Sequence, residues 1–300
     1  MASRYRGRFA PSPTGNLHFG SLIAAVGSYL DARHHEGEWL VRMEDVDQTR
    51  EVPGSAAAIL HSLEAFGFHW DSEVIYQSSR GEIYAESVEK LLQSELAYPC
   101  CCSRKEIGEV AKTGSEGAIY PGTCRGGPRK TRPSNSVRLV TRDQQITIHD
   151  RLQGRYTQNP GREIGDFVIR RVDGFHAYQL AVVVDDARQG ITHVVRGADL
   201  LSSTPRQCYL QQLLGLVPPD YLHLPLATDA DGRKLSKQDD DAPVDPRHPM
   251  ESLLRALQFL QQPLPPERPA SLDELWAWSI DRWSPASIPS TPMIAVPTNR

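Results

Sequence analysis

The chain has 300 residues, enough to bury a sizeable core as one large domain with additions or as two domains. Lys and Arg number 33 against 37 Asp and Glu, which excludes a generic polyanion-coating protein and leaves open a local basic groove for RNA. No run reaches the ~18 apolar residues of a membrane helix, and the N-terminus leads straight into a motif without room for a signal peptide, so a cytoplasmic protein with no membrane attachment is expected.

Residues 5–10 are predicted as a short strand, broken by Pro11, Pro13 and Gly15. Helical periodicity through Ile23, Val26 and Leu30 ends before Gly37. Trp39 to Met43 is a second strand, closed by the acidic run Glu44, Asp45 and Asp47. Helices follow over about 54–66 and 80–96. This alternation is the rhythm of a parallel sheet with helices on its faces. Residues 98–136, rich in Cys, Gly, Pro, Arg and Lys, break the rhythm and form a small unit that needs a staple. Short strands are expected at 137–140, 146–148 and 166–169, with a helix over 175–184 running into Asp185 and Asp186. A strand at 191–196 and helices at 204–214 and 250–260 resume the alternation. From Trp283 onward, Pro285, Pro289, Pro292 and Pro297 suggest a loose terminus. The fold expected is α/β: a Rossmann-type parallel sheet with helices on both faces, split by a small zinc-containing α+β insertion and followed by a short helical extension. The corresponding boundaries are 1–97 and 176–240 for the two halves, 98–175 for the insertion, and 241–300 for the extension and tail.

Two segments point to ATP chemistry. The stretch from Arg8 to Ser21 breaks a strand and then enters a helix at Gly20 and Ser21, while Asp231 to Gln238 is a glycine-led loop with two lysines around a serine. A helix N-terminus and mobile cations both suit a polyphosphate. Gly15 and Gly20 would let the backbone approach a nucleotide, and His18 can donate to a phosphate oxygen. Lys237, and secondarily Lys234, can reach the α- and β-phosphates while Ser236 steadies the loop. Taken singly, His18 could be an ordinary surface histidine and the lysines a solvated loop. Four of the five cysteines lie between Cys100 and Cys124. Cys100 and Cys102 with Cys124 further on suit a tetrahedral zinc site, and reduced thiols in a flexible insert are the alternative. Cys101 could substitute for a neighbour or add a fourth thiolate, although its side chain is expected to point away.

His-x-Gly-x at 18–21 and Lys-Leu-Ser-Lys-Gln at 234–238 resemble, in that order, the two ATP-handling motifs of class I aminoacyl-tRNA synthetases. The second histidine of the pattern is Ser21 here, and its methionine and final serine are Leu235 and Gln238, changes that glutamyl members tolerate. Arg-Phe-Ala-Pro-Ser-Pro-Thr-Gly at 8–15 and Leu-Val-Arg-Met-Glu-Asp-Val-Asp at 40–47 are similar to the glutamyl branch. Leu-Ala-Val-Val-Val-Asp-Asp at 180–186 and Val-Arg-Gly-Ala-Asp-Leu at 195–200 extend the resemblance, which covers roughly 4–262. Only about 60 residues follow the lysine loop, which resembles the truncated glutamyl-Q tRNA(Asp) synthetases rather than enzymes with a large anticodon-binding region.

That resemblance implies activation of L-glutamate by ATP, without tRNA, and transfer of glutamate to the queuosine at the wobble position of tRNA(Asp) by a monomer. It implies a glutamate site of Arg8, Phe9, Ala10, Pro11, Ser12, Glu44, Tyr178 and Arg196, with arginine forks for carboxylates and Glu44 for the ammonium. The ATP site would comprise Gly15, His18, Gly20, Ser21, Lys234, Ser236 and Lys237, with His18 and Lys237 catalytic and Mg²⁺ arriving on ATP. One structural Zn²⁺ would be held by Cys100, Cys102, Tyr120 and Cys124. Read from the residues alone, Arg196 could instead pair with Asp199, and Tyr178 could be a core tyrosine. A compact synthetase charging a tRNA 3′ end and a non-enzymatic zinc-containing RNA-binding module are the alternative functions. Arg125, Arg129, Lys130 and Arg132 are candidate phosphate contacts for RNA.

Overall fold

The computed structural model describes residues 4–114, 116–131, 134–229, 232–233 and 243–296. The first half contains β1 (Arg6–Phe9), α1 (Phe19–His34), β2 (Glu38–Met43), α2 (Ser55–Ala65), β3 (Ile75–Tyr76) and α3 (Gly81–Gln93). β1 and β2 run parallel from Arg6 opposite Glu38 to Phe9 opposite Val41, and β3 joins β2 at Arg42 opposite Ile75. β2 is buried from Trp39 to Met43, as a parallel strand covered on both faces must be.

The chain then leaves the sheet. The insertion comprises β4 (Ala97–Cys100), α4 (Arg104–Val110), β5 (Lys112–Gly114), β6 (Gly117–Ile119), β7 (Ser136–Leu139), β8 (Ile146–Asp150), β9 (Gly154–Gln158), α5 (Pro160–Glu163) and β10 (Val168–Arg170). Here β10, β7 and β4 form an antiparallel sheet, with β5–β6 and β8–β9 as hairpins. Its apolar face shares a core with the parallel-sheet unit: Val137, Leu139, Ile148 and Ile169 pack in the cluster that holds Leu180, Val183 and Tyr209.

The second half comprises α6 (Tyr178–Arg188), β11 (His193–Gly197), α7 (Thr204–Leu214), β12 (Asp220–Leu224) and β13 (Leu226–Thr228). β11 and β12 are parallel, and the Thr192 N–H donates to Arg6 O at 2.9 Å, laying β11 beside β1. The strand order β3–β2–β1–β11–β12 therefore joins halves separated by the insertion. α1 lies on one face, where Leu22, Val26 and Leu30 are fully buried, and α3, α6 and α7 cover the other. Gly27 sets the closeness of α1 to the sheet, because a Cβ there would meet Leu224 Cδ1 at 2.5 Å.

α8 (Pro249–Phe259), α9 (Leu272–Asp281) and β14 (Met293–Ala295) complete the described chain. α9 has no counterpart among the sequence expectations, and the loose terminus expected from Trp283 is corrected as far as Val296, Pro297 and the residues after it lying outside the described ones. Trp283 is buried and donates its indole N–H to Asp31 Oδ1 at 2.9 Å. β14 pairs in parallel with β13, from Leu226 opposite Met293 to Thr228 opposite Ala295. The prolines interrupt helix there without preventing order, because Trp283, Ile288 and Val296 still find apolar partners in the main core. Among the described residues no helix is long and apolar enough to cross a membrane.

Candidate active site

The carboxyl ends of β1, β2, β11 and β12 meet the N-terminus of α1 around a cavity of about 470 Å³. This is where open parallel sheets bind ligands, since strand ends and helix N-termini converge without side chains to fill the space. Arg8, Phe9, Ala10, Pro11 and Ser12 line it from β1, with Glu44 after β2, Tyr178 at the start of α6 and Arg196 in β11. His18, Gly20 and Ser21 line it from α1. Residues drawn from distant parts of the sequence thus share one wall.

Beside the cavity lies a network of buried ions. Arg42, fully buried, lies 2.8 Å from Asp186 Oδ1 and 3.3 Å from Glu44 Oε1, and Arg8 Nε donates to the same Asp186 oxygen at 3.2 Å. Behind it Asp185 accepts from Arg80 Nε at 2.6 Å, Tyr84 OH at 2.6 Å and Gln77 Nε2 at 2.8 Å. Burial opposes the charge of Asp186, but Arg8 and Arg42 outweigh it and hold the carboxyl below its usual range. Glu44 moves the other way: burial raises it, with Arg42 and Arg8 offsetting only part of the effect. A cation placed beside Glu44 would favour its ionised form.

Arg196 lines the cavity from β11. Its Nη2 donates to Thr204 Oγ1 and Gln207 Oε1 at 2.8 Å each, and its Nε to His223 Nε2 at 3.1 Å. Its Nη1 points at the Tyr178 hydroxyl, 3.5 Å away. His223 is oriented by Asp150, whose Oδ2 lies 2.6 Å from Nδ1. Burial, reinforced by the charge of Arg196 and opposed by Asp150, brings the imidazole down to about 4 and leaves it neutral at pH 7. The hydrogen bonds of Arg196 do not run to Asp199, so the strand-end pairing is not the arrangement adopted.

His18 is the N-cap of α1. Its Nδ1 accepts from the Ser21 N–H at 3.4 Å, which places the ring proton on Nε2, 2.8 Å from Ser21 Oγ. Gly15 stands apart from the predicted set because it does not line the cavity. Its φ of 141° favours glycine, and its backbone N–H and carbonyl are both bonded to the Ser55 hydroxyl, at 3.0 and 2.6 Å. Lys234, Ser236 and Lys237 lie outside the described residues.

The predicted thiol group also gathers. The Sγ atoms of Cys100, Cys102 and Cys124 lie within 4.8 Å of one another, and the Tyr120 hydroxyl is 3.3 Å from Cys100 Sγ and 3.4 Å from Cys102 Sγ. Three soft sulfurs and a phenolic oxygen at these spacings fit a tetrahedral zinc ion. Burial pulls the Cys124 thiol up, but hydrogen bonds from the Cys101 backbone and the Tyr120 hydroxyl outweigh it and bring it down to about 6. Cys101 differs from expectation in being buried, with its Sγ 3.8 Å from Cys124 Sγ instead of turned away. Of the basic residues suggested for RNA, Arg125 is engaged by both oxygens of Asp166 at 2.7 Å, Lys130 pairs with Glu106, and Arg132 lies outside the described residues.

Sequence reasoning did not assign Arg42, Asp150, Asp186, Thr204, Gln207 or His223 to the site. Two acids closing the buried run Leu180 to Asp186 of α6, Asp185 and Asp186, were the available signal, since such groups stay buried only when paired. Asp150 and His223, far apart in sequence, gave none.

Residues 4–252 match the family described as tRNA synthetases class I (E and Q), catalytic domain. A Chromobacterium violaceum protein named glutamyl-Q tRNA(Asp) synthetase is 54% identical over 289 residues, covering 96% of this chain and 97% of its own. A Dechloromonas aromatica protein of the same name is 54% identical over 301 residues, covering 99% of this chain and 100% of its own. The crystal structure of a glutamate-tRNA synthetase from Elizabethkingia anophelis superposes with a TM-score of 0.82 at 26% identity, covering 99% of this chain and 68% of that one.

Proposed function

This chain belongs to the class I tRNA synthetases of the glutamyl and glutaminyl type, in their glutamyl-Q branch, and is an ATP-dependent ligase; from that premise we propose that it makes glutamyl-adenylate without tRNA and transfers the glutamate to queuosine at the wobble position of tRNA(Asp). The observation that carries this reading is the presence, in one cavity, of an acid whose side chain is only 8% exposed, Glu44, and a buried arginine, Arg196, beside a helix N-terminus. Glutamate needs such opposed poles, one for its ammonium and one for its side-chain carboxylate, and ATP needs the helix end.

In this reading Glu44 takes the ammonium, Arg196 and Tyr178 take the side-chain carboxylate, and Arg8 with the backbone from Phe9 to Ser12 orients the α-carboxylate. An α-carboxylate oxygen attacks the α-phosphorus of ATP, a mixed anhydride forms, and pyrophosphate leaves. The Gly20 N–H and the Ser21 hydroxyl at the start of α1, with His18, stabilise the phosphate charge, and Lys237 and Lys234 add positive charge to it with Ser236 assisting. Mg²⁺ bound to ATP would supply charge neutralisation on the leaving pyrophosphate. A queuosine hydroxyl then attacks the acyl carbon and AMP departs. Zinc held by Cys100, Cys102, Tyr120 and Cys124 would brace the insertion, because a site closed by four protein ligands leaves no position for substrate.

Glutamate-dependent exchange of labelled pyrophosphate into ATP, without tRNA, tests the first half. Wild-type protein should exchange, and Lys237→Ala should lose exchange while keeping its melting transition. Unchanged exchange in that variant would remove Lys237 from the role.

A further inference from the structure

Arg196 is buried, yet every group its guanidinium touches is neutral: His223, Thr204, Gln207, the Tyr178 hydroxyl, the face of the Tyr221 ring at 5.4 Å and, more weakly, Leu200 O at 3.5 Å. Among the described residues no carboxylate lies within ion-pairing distance of it. The acid linked to it, Asp150, is held one imidazole away and is occupied by His223 and by the backbone N–H groups of Leu152, Gln153 and His223. The amide of Gln207 is fixed in orientation, since its Nε2 donates to Gln179 Oε1 at 2.8 Å and its oxygen therefore faces Arg196. Arg8 and Arg42, by contrast, both carry Asp186 as counter-ion.

A buried cation with only neutral partners is costly, and a ligand that brings an anion relieves the cost while an isosteric amide does not. We infer that Gln207, Thr204 and His223 are specificity-determining positioning residues, which hold Arg196 in place while withholding a counter-charge, so that only a substrate with an anionic side chain completes the site. This rests on the reading of the cavity as a glutamate site. The neutral imidazole matters as a spacer: it orients the guanidinium as a carboxylate would but leaves the charge for the ligand. Gln207 is the position where one isosteric change, Gln207→Glu, would supply the missing charge from the protein itself.

The test is pyrophosphate exchange by the full chain with L-glutamate and with L-glutamine, for wild type, Gln207→Glu and Gln207→Met. Gln207→Glu should lower the glutamate-to-glutamine ratio of kcat/KM roughly 100-fold, with the KM for ATP unchanged, because the pocket no longer lacks an anion. Gln207→Met removes the hydrogen bond without adding charge and should lower kcat/KM for both amino acids while keeping the ratio within about 3-fold. A folded Gln207→Glu variant with the wild-type ratio, or a Met variant with the same loss of ratio, overturns the inference. If Gln207→Glu gives no cooperative melt, Thr204→Asp brings a carboxylate to the same guanidinium nitrogen and must shift the ratio the same way. The wild-type protein supplies a further arm in thermal-shift titrations, where glutamate should bind at least about 100-fold more tightly than glutamine and equal affinity would overturn the inference. Absence of any glutamate-dependent exchange or binding in wild type would instead refute the glutamate site itself.

Discussion

The cavity and the thiol cluster are both polar sites in a largely apolar protein, but they are held in opposite ways. The cavity is assembled from side chains far apart in sequence, and its ions and hydrogen bonds are fixed by two apolar cores before any ligand arrives. The thiol cluster comes from one short stretch, with its own small core of Tyr98, Ile107, Tyr120 and the cysteines. Preorganisation by the fold suits chemistry, where charges must stand ready for a transition state. A local knot with so little apolar surface suits a site whose occupant contributes to folding. Substitutions in the first should therefore cost activity more than folding, and substitutions in the second should do the reverse.

The largest effect is expected for Arg196→Met, which keeps much of the volume and removes the cation. Glutamate-dependent exchange should fall roughly 10³-fold with the melting transition retained, as measured by single-turnover kinetics and calorimetry. A large fall in melting temperature with normal turnover would erase the contrast.

A pH dependence of stability comes next. His223 titrates near 6.5 when unfolded and at about 4 when folded, so between those values the unfolded chain binds the extra proton. Its contribution is complete above pH 6.5 and is lost as pH falls toward 4, up to about 3 kcal/mol. Thermal melts across that range should show a steeper loss in wild type than in His223→Gln; parallel curves would mean that the imidazole is not held neutral.

Glu44→Gln sharpens the comparison within the cavity. It should raise the KM for glutamate roughly 30-fold, through loss of a charge-assisted bond to the ammonium, and leave the KM for ATP alone. Equal changes in both would argue for a general disturbance. The smallest effect on chemistry belongs to Cys124→Ser, for which exchange should stay within about 3-fold while bound zinc, measured by elemental analysis, drops well below one ion per chain. A variant that keeps its zinc would rule out Cys124 as a ligand.

Much of this contrast was legible in the sequence, for physical reasons that differ between the sites. Arg8, Ser12, Glu44, Tyr178 and Arg196 were assigned through the motifs that resemble the glutamyl branch, since the residues alone fitted a paired arginine and a core tyrosine as well, and the structure brings them to one cavity. The parallel sheet was legible from β-branched and apolar runs alternating with helical spacing. The supporting shell was not. His223 lies in a strand with Leu222 and Leu224, Asp150 ends a hairpin strand of the insertion, and their partnership depends on tertiary folding alone. Gly15 was assigned to the nucleotide by its place in the motif, but its backbone is taken by Ser55, a long-range contact that local sequence does not announce. Prolines near the end suggested a loose tail because they break helix, whereas Trp283 and β14 are secured by Asp31 and β13, both distant in sequence.

Activation of glutamate for a modified base, rather than for a tRNA terminus, is what we propose of the cavity. Its most direct test is transfer of labelled glutamate, with ATP, onto two tRNA pools, one from cells that make queuosine and one from cells that do not. Label confined to the queuosine pool, and lost with Arg196→Met, is the predicted result. Equal label on both pools would contradict the acceptor and indicate a compact synthetase that charges a 3′ end; label on neither, with no glutamate-dependent exchange, would contradict the activation itself.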